Sequence, residues 1–127
     1  MLSENALVVV ADGQSAVLFR NIARHGVELG EAEKLTRKDL DQEPPGAVTD
    51  EGSVNEDEDT AFPAQLADHL NALALKQKFE DLAIIADPAT LGIMRKRYHK
   101  ELQYRLRKEL AKNLTNSDVK AIEGALA

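Results

Sequence analysis

The chain has 127 residues and a mass of 13.9 kDa, enough for one domain whose core needs no disulfide or metal staple. It contains no cysteine, which excludes disulfides, thiolate nucleophiles and cysteine-based zinc sites. Acidic residues outnumber basic ones by 22 to 16, giving a net charge of -6 that argues against wholesale neutralisation of nucleic-acid phosphates.

No segment approaches the roughly 20 apolar residues of a membrane span. Met1 to Asn5 lacks the Lys or Arg of a signal peptide, and the apolar run from Ala6 to Ala11 is too short for one. A cytoplasmic protein without a membrane partner is expected.

The chain is organised around its first hairpin. Leu7 to Ala11 is an unbroken apolar run rich in β-branched residues and reads as a strand buried on both faces. Asp12-Gly13-Gln14-Ser15 supplies a side chain that can bond its own backbone and a glycine free to take positive φ, so the chain can reverse. On the return strand Ala16, Leu18, Arg20 and Ile22 share one face and Ser15, Val17, Phe19 and Asn21 the other, which places the hairpin inside a sheet. After His25-Gly26, the imperfect alternation of Val27, Leu29, Ala32 and Leu35 among charges predicts a third, antiparallel edge strand.

Periodicity then vanishes over residues 36–60. Asp39, Asp41, Glu43, Asp50, Glu51, Glu56, Asp57, Glu58 and Asp59 face only Arg37 and Lys38 there, and Pro44-Pro45-Gly46 interrupts the run. The composition predicts a mobile acidic loop, in its plainest reading a solvated excursion and in a sharper one a partner-binding or gating segment.

Phe62, Leu66, Leu70, Leu73 and Ala74 recur at helical spacing and predict a helix from Ala61 to Phe79, capped by Asp59 or Thr60, with Lys76 and Lys78 near its C-terminus. A short buried strand follows at Leu82 to Ala86, parallel to the Leu7 strand. Asp87 as N-cap and Pro88 at the first helical position start the next helix, with Leu91, Met94 and Tyr98 inward. From His99 to Leu114 the leucines fit both a helix face and a strand parity, and propensity alone favours one long helix. A last helix begins at Thr115 to Ser117, where Thr115 with Asp118 reads as a capping box, and carries Val119, Ile122 and Leu126.

Val8-Val-Val-Ala-Asp-Gly-Gln-Ser-Ala-Val-Leu-Phe19, Phe62-Pro-Ala-Gln-Leu-Ala-Asp-His-Leu70, Asp81-Leu-Ala-Ile-Ile-Ala-Asp-Pro88, Leu91-Gly-Ile-Met-Arg-Lys96 and Leu114-Thr-Asn-Ser-Asp118 together resemble the bacterial host attachment protein family. That family is similar to the central domain of archaeo-eukaryotic release factors and Pelota. The resemblance covers nearly the whole chain apart from the acidic loop and implies one domain over 1–127. It implies a ribonuclease-H-like three-layer α/β fold, with a mixed five-stranded sheet and helices packed on it. It also implies that part of Tyr104 to Lys112 is the fifth strand, which overrules the propensity reading.

The resemblance carries less function than fold. Release factors act through a Gly-Gly-Gln loop after the third strand, and this chain has no such tripeptide. Its Gly13-Gln14 follows Asp12 and lies in the first hairpin. Nothing looks secreted or adhesive, so a link to host attachment would be indirect. The reading is a non-catalytic binding or adaptor protein whose partner is the ribosome, RNA, a translation factor or another protein. The alternative is a metal-dependent nuclease or a peptidyl-tRNA-type hydrolase.

The nuclease alternative names three carboxylates. Asp12 and Asp87 end neighbouring strands of such a sheet, near a helix carrying Asp68 and His69, as a two-cation site would need. The stronger reading needs no metal: Asp12 is a turn residue, Asp87 an N-cap and Asp68 a solvent-facing helix charge. His25, His69 and His99 lack metal-ligand spacing, and no nucleophile triad, P-loop or dinucleotide fingerprint is present, so no cofactor is expected.

The basic run between Arg95 and Lys112 offers a second surface. Its plain reading is a solvated face. Its sharper reading is an RNA or acidic-partner contact made by Arg95, Arg97, Lys100, Arg105 and Lys108, which the acidic loop could fold over and mask.

Overall fold

In the computed structural model, which describes residues 2–41 and 58–126, the run Leu7–Ala11 is strand β1 at the middle of a five-stranded sheet. Its antiparallel neighbour β2 (Ser15–Asn21) runs in register from Arg20 opposite Leu7 to Ala16 opposite Ala11. Its parallel neighbour β4 (Leu82–Ala86) places Leu82 beside Leu7 and Ala86 beside Ala11. β3 (Leu29–Thr36) pairs with β2, and β5 (Leu106–Ala111) runs parallel to β4, so the order is β3-β2-β1-β4-β5. This is the mixed, ribonuclease-H-like arrangement that the family resemblance implies.

Every residue of β1 and β4 is buried because both faces of the sheet are covered. One face carries α2 (Glu58–Leu75), α3 (Pro88–Arg95) and α4 (Lys100–Arg105), whose Phe62, Leu66, Leu70, Leu91, Met94 and Leu102 pack on Val9, Leu18 and Ile84. The other face carries α5 (Val119–Leu126), whose Ile122 and Leu126 meet Val8, Val10, Phe19 and Ile85. Alternate residues of one strand thus feed opposite cores, and β2 divides Ala16 and Leu18 from Val17 and Phe19 as its alternation predicts.

The hairpin turn departs from expectation in its chemistry. Gly13 does not use positive φ; among the described glycines only Gly26 does, at 79°. Asp12 makes the turn instead, its Oδ1 accepting from the amides of Gln14 and Ser15, both at 2.8 Å, while Asp12 N–H bonds the Ser15 carbonyl at 2.9 Å. The imperfect alternation of β3 also has a cause. Register passes from Leu18 opposite Glu33 to Arg20 opposite Gly30, leaving Glu31 and Ala32 against Phe19. Glu31 takes φ 56° in this bulge, and residues Glu31 to Lys34 stay exposed on the sheet edge.

The segment 36–60 is not irregular throughout. Thr36 and Asp39 fix the start of α1 (Arg37–Asp41): Asp39 Oδ2 accepts from Thr36 N at 2.8 Å and from Thr36 Oγ1 at 3.0 Å. Leu40 anchors the turn in the helix-side core. α2 begins at Glu58, so Asp59 and Thr60 lie in its first turn and are not caps. The remainder of the expected acidic loop, 42–57, lies outside the described residues.

α2 ends at Leu75, earlier than its apolar spacing suggests, because Gln77 turns left-handed at φ 57°. Lys78 N then reaches the Leu73 carbonyl at 2.9 Å and Gln77 N the Ala74 carbonyl at 3.0 Å, a Schellman ending. The long helix that propensity favours over His99 to Leu114 breaks at Leu106, where β4 offers ladder partners to β5. The expected cap at Thr115 is replaced by Asp118, whose Oδ1 accepts from Ala121 N at 2.9 Å; Thr115 bonds Asn113 instead.

Candidate functional site

Asp12 and Asp87 follow the paired residues Ala11 and Ala86, so the fold does set them at the same end of adjacent parallel strands. Their oxygens are spent locally. Besides the two amides, Asp12 Oδ1 has the Ser15 hydroxyl at 3.5 Å. Asp87 caps α3, with Oδ2 accepting from Thr90 N at 3.2 Å and Oδ1 from Thr90 Oγ1 at 2.7 Å. Asp68, on α2, is paired with Arg97 at 2.9 Å. Among the described residues no group of three or more acidic or histidine side chains is arranged to hold a cation. The three carboxylates are engaged in a turn, a cap and an ion pair.

The histidines serve separate ends. His25 is exposed, and His69 is half-buried on α2. His99 caps α4, its Nδ1 accepting from Glu101 N at 3.0 Å, a role its sequence position alone did not reveal.

Burial on its own would push the Asp12 carboxyl up. The amide bonds from Gln14 and Ser15 and the hydroxyls of Thr115 and Ser15 together outweigh it and hold the group below its ordinary 3.8. A carboxyl lowered in the folded state contributes stability that is fully present above its unfolded value and lost as pH falls through the folded one. Asp81, which accepts from Ser3 N at 3.1 Å and Arg107 Nε at 3.0 Å, is lowered likewise. Acid unfolding followed by circular dichroism should therefore begin below about pH 4. Asp12→Asn should flatten that acid limb and cost less than about 1 kcal/mol at pH 7, since the amide oxygen still accepts. An acid limb as steep as wild type in the variant would show that Asp12 does not contribute to it.

The basic run does not form one patch. Arg95 turns to Glu109 on β5, with its Nε 2.7 Å from Oε1. Beside this pair burial, reinforced by the Glu109 charge, pushes the Tyr98 hydroxyl well above its ordinary value. Arg105 folds inward, its side chain only 13% exposed, and bridges the Phe79 carbonyl at 2.8 Å and Glu101 at 2.9 Å. Lys108 points to the opposite side of the sheet and bonds the Leu126 carbonyl at 3.1 Å, holding the end of α5. Of the five candidates, Arg95 and Lys100 remain exposed.

Sequence spacing hid this dispersal because a bulge separates the pairs Leu82 with Leu106 and Ala83 with Lys108. The bulge leaves Arg107 as the extra residue. Arg107 was not among the candidates, yet it lies on the outer edge, with Nε on Asp81 and Nη1 3.0 Å from the Tyr104 carbonyl. At the opposite end of the sheet from Asp12 and Asp87, a cavity of about 380 Å³ is lined by Ser3, Glu4, Asn5, Gln77, Lys78, Phe79 and Glu80. Arg20 ties its two walls, bonding the carbonyls of Asn5 at 3.1 Å and Lys78 at 3.0 Å.

A three-layer α/β domain in which Asp12, Asp87 and Asp68 serve a turn, a cap and an ion pair defines a ribonuclease-H-like scaffold. Residues 5–126 match the bacterial archaeo-eukaryotic release factor family 12, and the chain belongs to that family. No curated protein matches it.

Proposed function

We propose that this chain is a non-catalytic binding or adaptor domain that works on RNA of the translation machinery. The observation that carries the reading is the match to a release-factor family over residues 5–126. The local engagement of Asp12, Asp87 and Asp68 supports binding over hydrolysis. The unbroken span of the match also supports one functional unit over 1–127, acting in the cytoplasm where ribosomes work. On this reading a link to host-cell attachment is indirect, through translation, and rests on the sequence resemblance alone.

Sedimentation of the purified protein with ribosomes tests the proposal. Retention is expected at about 50 mM salt and should fall steeply by about 200 mM, as counterions released on phosphate contact are restored. Peptidyl-tRNA and RNA incubated with the same preparation should remain intact. Turnover abolished by Asp12→Asn or Asp87→Asn would overturn the non-catalytic reading, and absence of retention at low salt would overturn ribosome association.

A further inference from the structure

We propose that Tyr104 is a stacking platform for a base of single-stranded RNA, with Lys100 and Arg107 placed for the flanking phosphates. The inference deepens the RNA-binding reading above and rests on it. The chain has five aromatic residues, and four are committed to the interior: Phe19, Phe62 and Phe79 are buried and Tyr98 packs against the helix-side core. Tyr104 is 73% exposed. A phenol ring left in water at the end of a helix does nothing for the core. An open π-face is, however, what a sequence-tolerant reader of unpaired bases needs.

Its surroundings carry the matching charge. Lys100 precedes Tyr104 by one turn of α4, so the two side chains share a helix face. Arg107 is fixed on the other side by its bond to the Tyr104 carbonyl, with its side chain 43% exposed. The nearby carboxylates are already matched: Asp81 by Arg107 itself and Glu101 by Arg105. Among the described residues no acidic side chain pairs with Lys100, which stays exposed. A single strand could lay a base on the ring while its neighbouring phosphates meet the lysine and the outer guanidinium nitrogen. Duplex RNA offers no free base face and should compete poorly.

Fluorescence anisotropy with a labelled oligouridine 12-mer tests this. Wild type should bind with a log-log salt slope of about -1.4, two phosphate contacts on a single strand. Tyr104→Ala should weaken binding roughly 5- to 150-fold, the range for removing one base–aromatic stack, and Tyr104→Phe should restore it. Lys100→Gln with Arg107→Gln should abolish most of the salt slope. The platform is overturned if Tyr104→Ala binds like wild type. It is also overturned if ribosomes retain the protein while the oligonucleotide does not bind, in which case the parent reading stands and Tyr104 meets protein. Binding of neither ribosomes nor oligonucleotide sinks both.

Discussion

Asn21→Ala is expected to cost the fold about 3 kcal/mol, far more than a polar-to-alanine change on a strand usually does. Asn21 ends β2 with no solvent exposure and uses its whole amide. Nδ2 donates to the carbonyls of Ser3 at 3.0 Å and Gly26 at 3.1 Å, while Oδ1 accepts from the amides of Ala23 at 3.2 Å and Glu28 at 3.0 Å. One side chain therefore joins the N-terminal segment to both ends of the β2–β3 connection. Alanine takes a partner from four backbone groups; the Ser3 carbonyl keeps Ala6 N–H at 3.2 Å, and the other three are each worth about 1–3 kcal/mol if sealed from water. Ser3, Gly26 and Glu28 lie at the exposed surface and can recruit solvent, which brings the sum down to the figure stated. Asn21→Asp separates geometry from burial: a carboxylate cannot donate to Ser3 and Gly26, so it should be at least as damaging at pH 7 and partly recover when protonated. Urea unfolding measures both; a loss under 1 kcal/mol for alanine would mean that the connection holds itself.

Asn21 also marks where reading the sequence stops. Its parity assigned it correctly to the face of Val17 and Phe19, but nothing in the string shows that its partners lie at residues 3, 23, 26 and 28. β1, β2, β4 and the start of α3 were legible because local chemistry and tertiary context agree there: apolar runs where both faces are covered, and Asp87-Pro88 where a helix must begin. β5 was not legible by propensity, since Glu, Lys, Arg and Leu prefer helix and only the ladder with β4 reverses that preference. The family resemblance supplied the strand instead.

Two local signals were present in the sequence and pointed to structure that composition obscured. Thr36 and Asp39, three apart before Leu40, are a helix start of the same kind as the one sought at Thr115, but the surrounding acidic excess drew the whole stretch into a loop. The basic cluster misled in the opposite way. Eight cations between Arg95 and Lys112 suggest a surface, yet that segment passes through a helix end, a second helix, a bulge and a strand. Each change of element rotates successive side chains, so Arg97, Arg105 and Lys108 end against Asp68, Glu101 and the Leu126 carbonyl. Charge density along a chain predicts a patch only where one element carries it.

Ile84→Ala should be the most damaging single truncation of the sheet, at about 4 kcal/mol. Ile84 is the middle residue of β4, fully buried, flanked by Val9 of β1 and Glu109 of β5 in register, and packed in the core beneath α2 and α3. Transfer of the lost methyl groups accounts for part of the cost. The cavity supplies the rest, because strands fixed on both sides and helices above leave little room to collapse. In a chain of this length each kcal/mol moves the melting midpoint by about 3–5 °C, so the variant should melt roughly 10–20 °C lower. Ile84→Val should lose about 0.5–1.5 kcal/mol. Leu75→Ala, removing a larger group from a site that is 56% exposed, should lose under about 1 kcal/mol. Graded loss across the two Ile84 variants, with little change at Leu75, identifies packing as the cause. If Ile84→Ala melts with the Leu75 variant, the stability of this domain does not reside in its helix-side core.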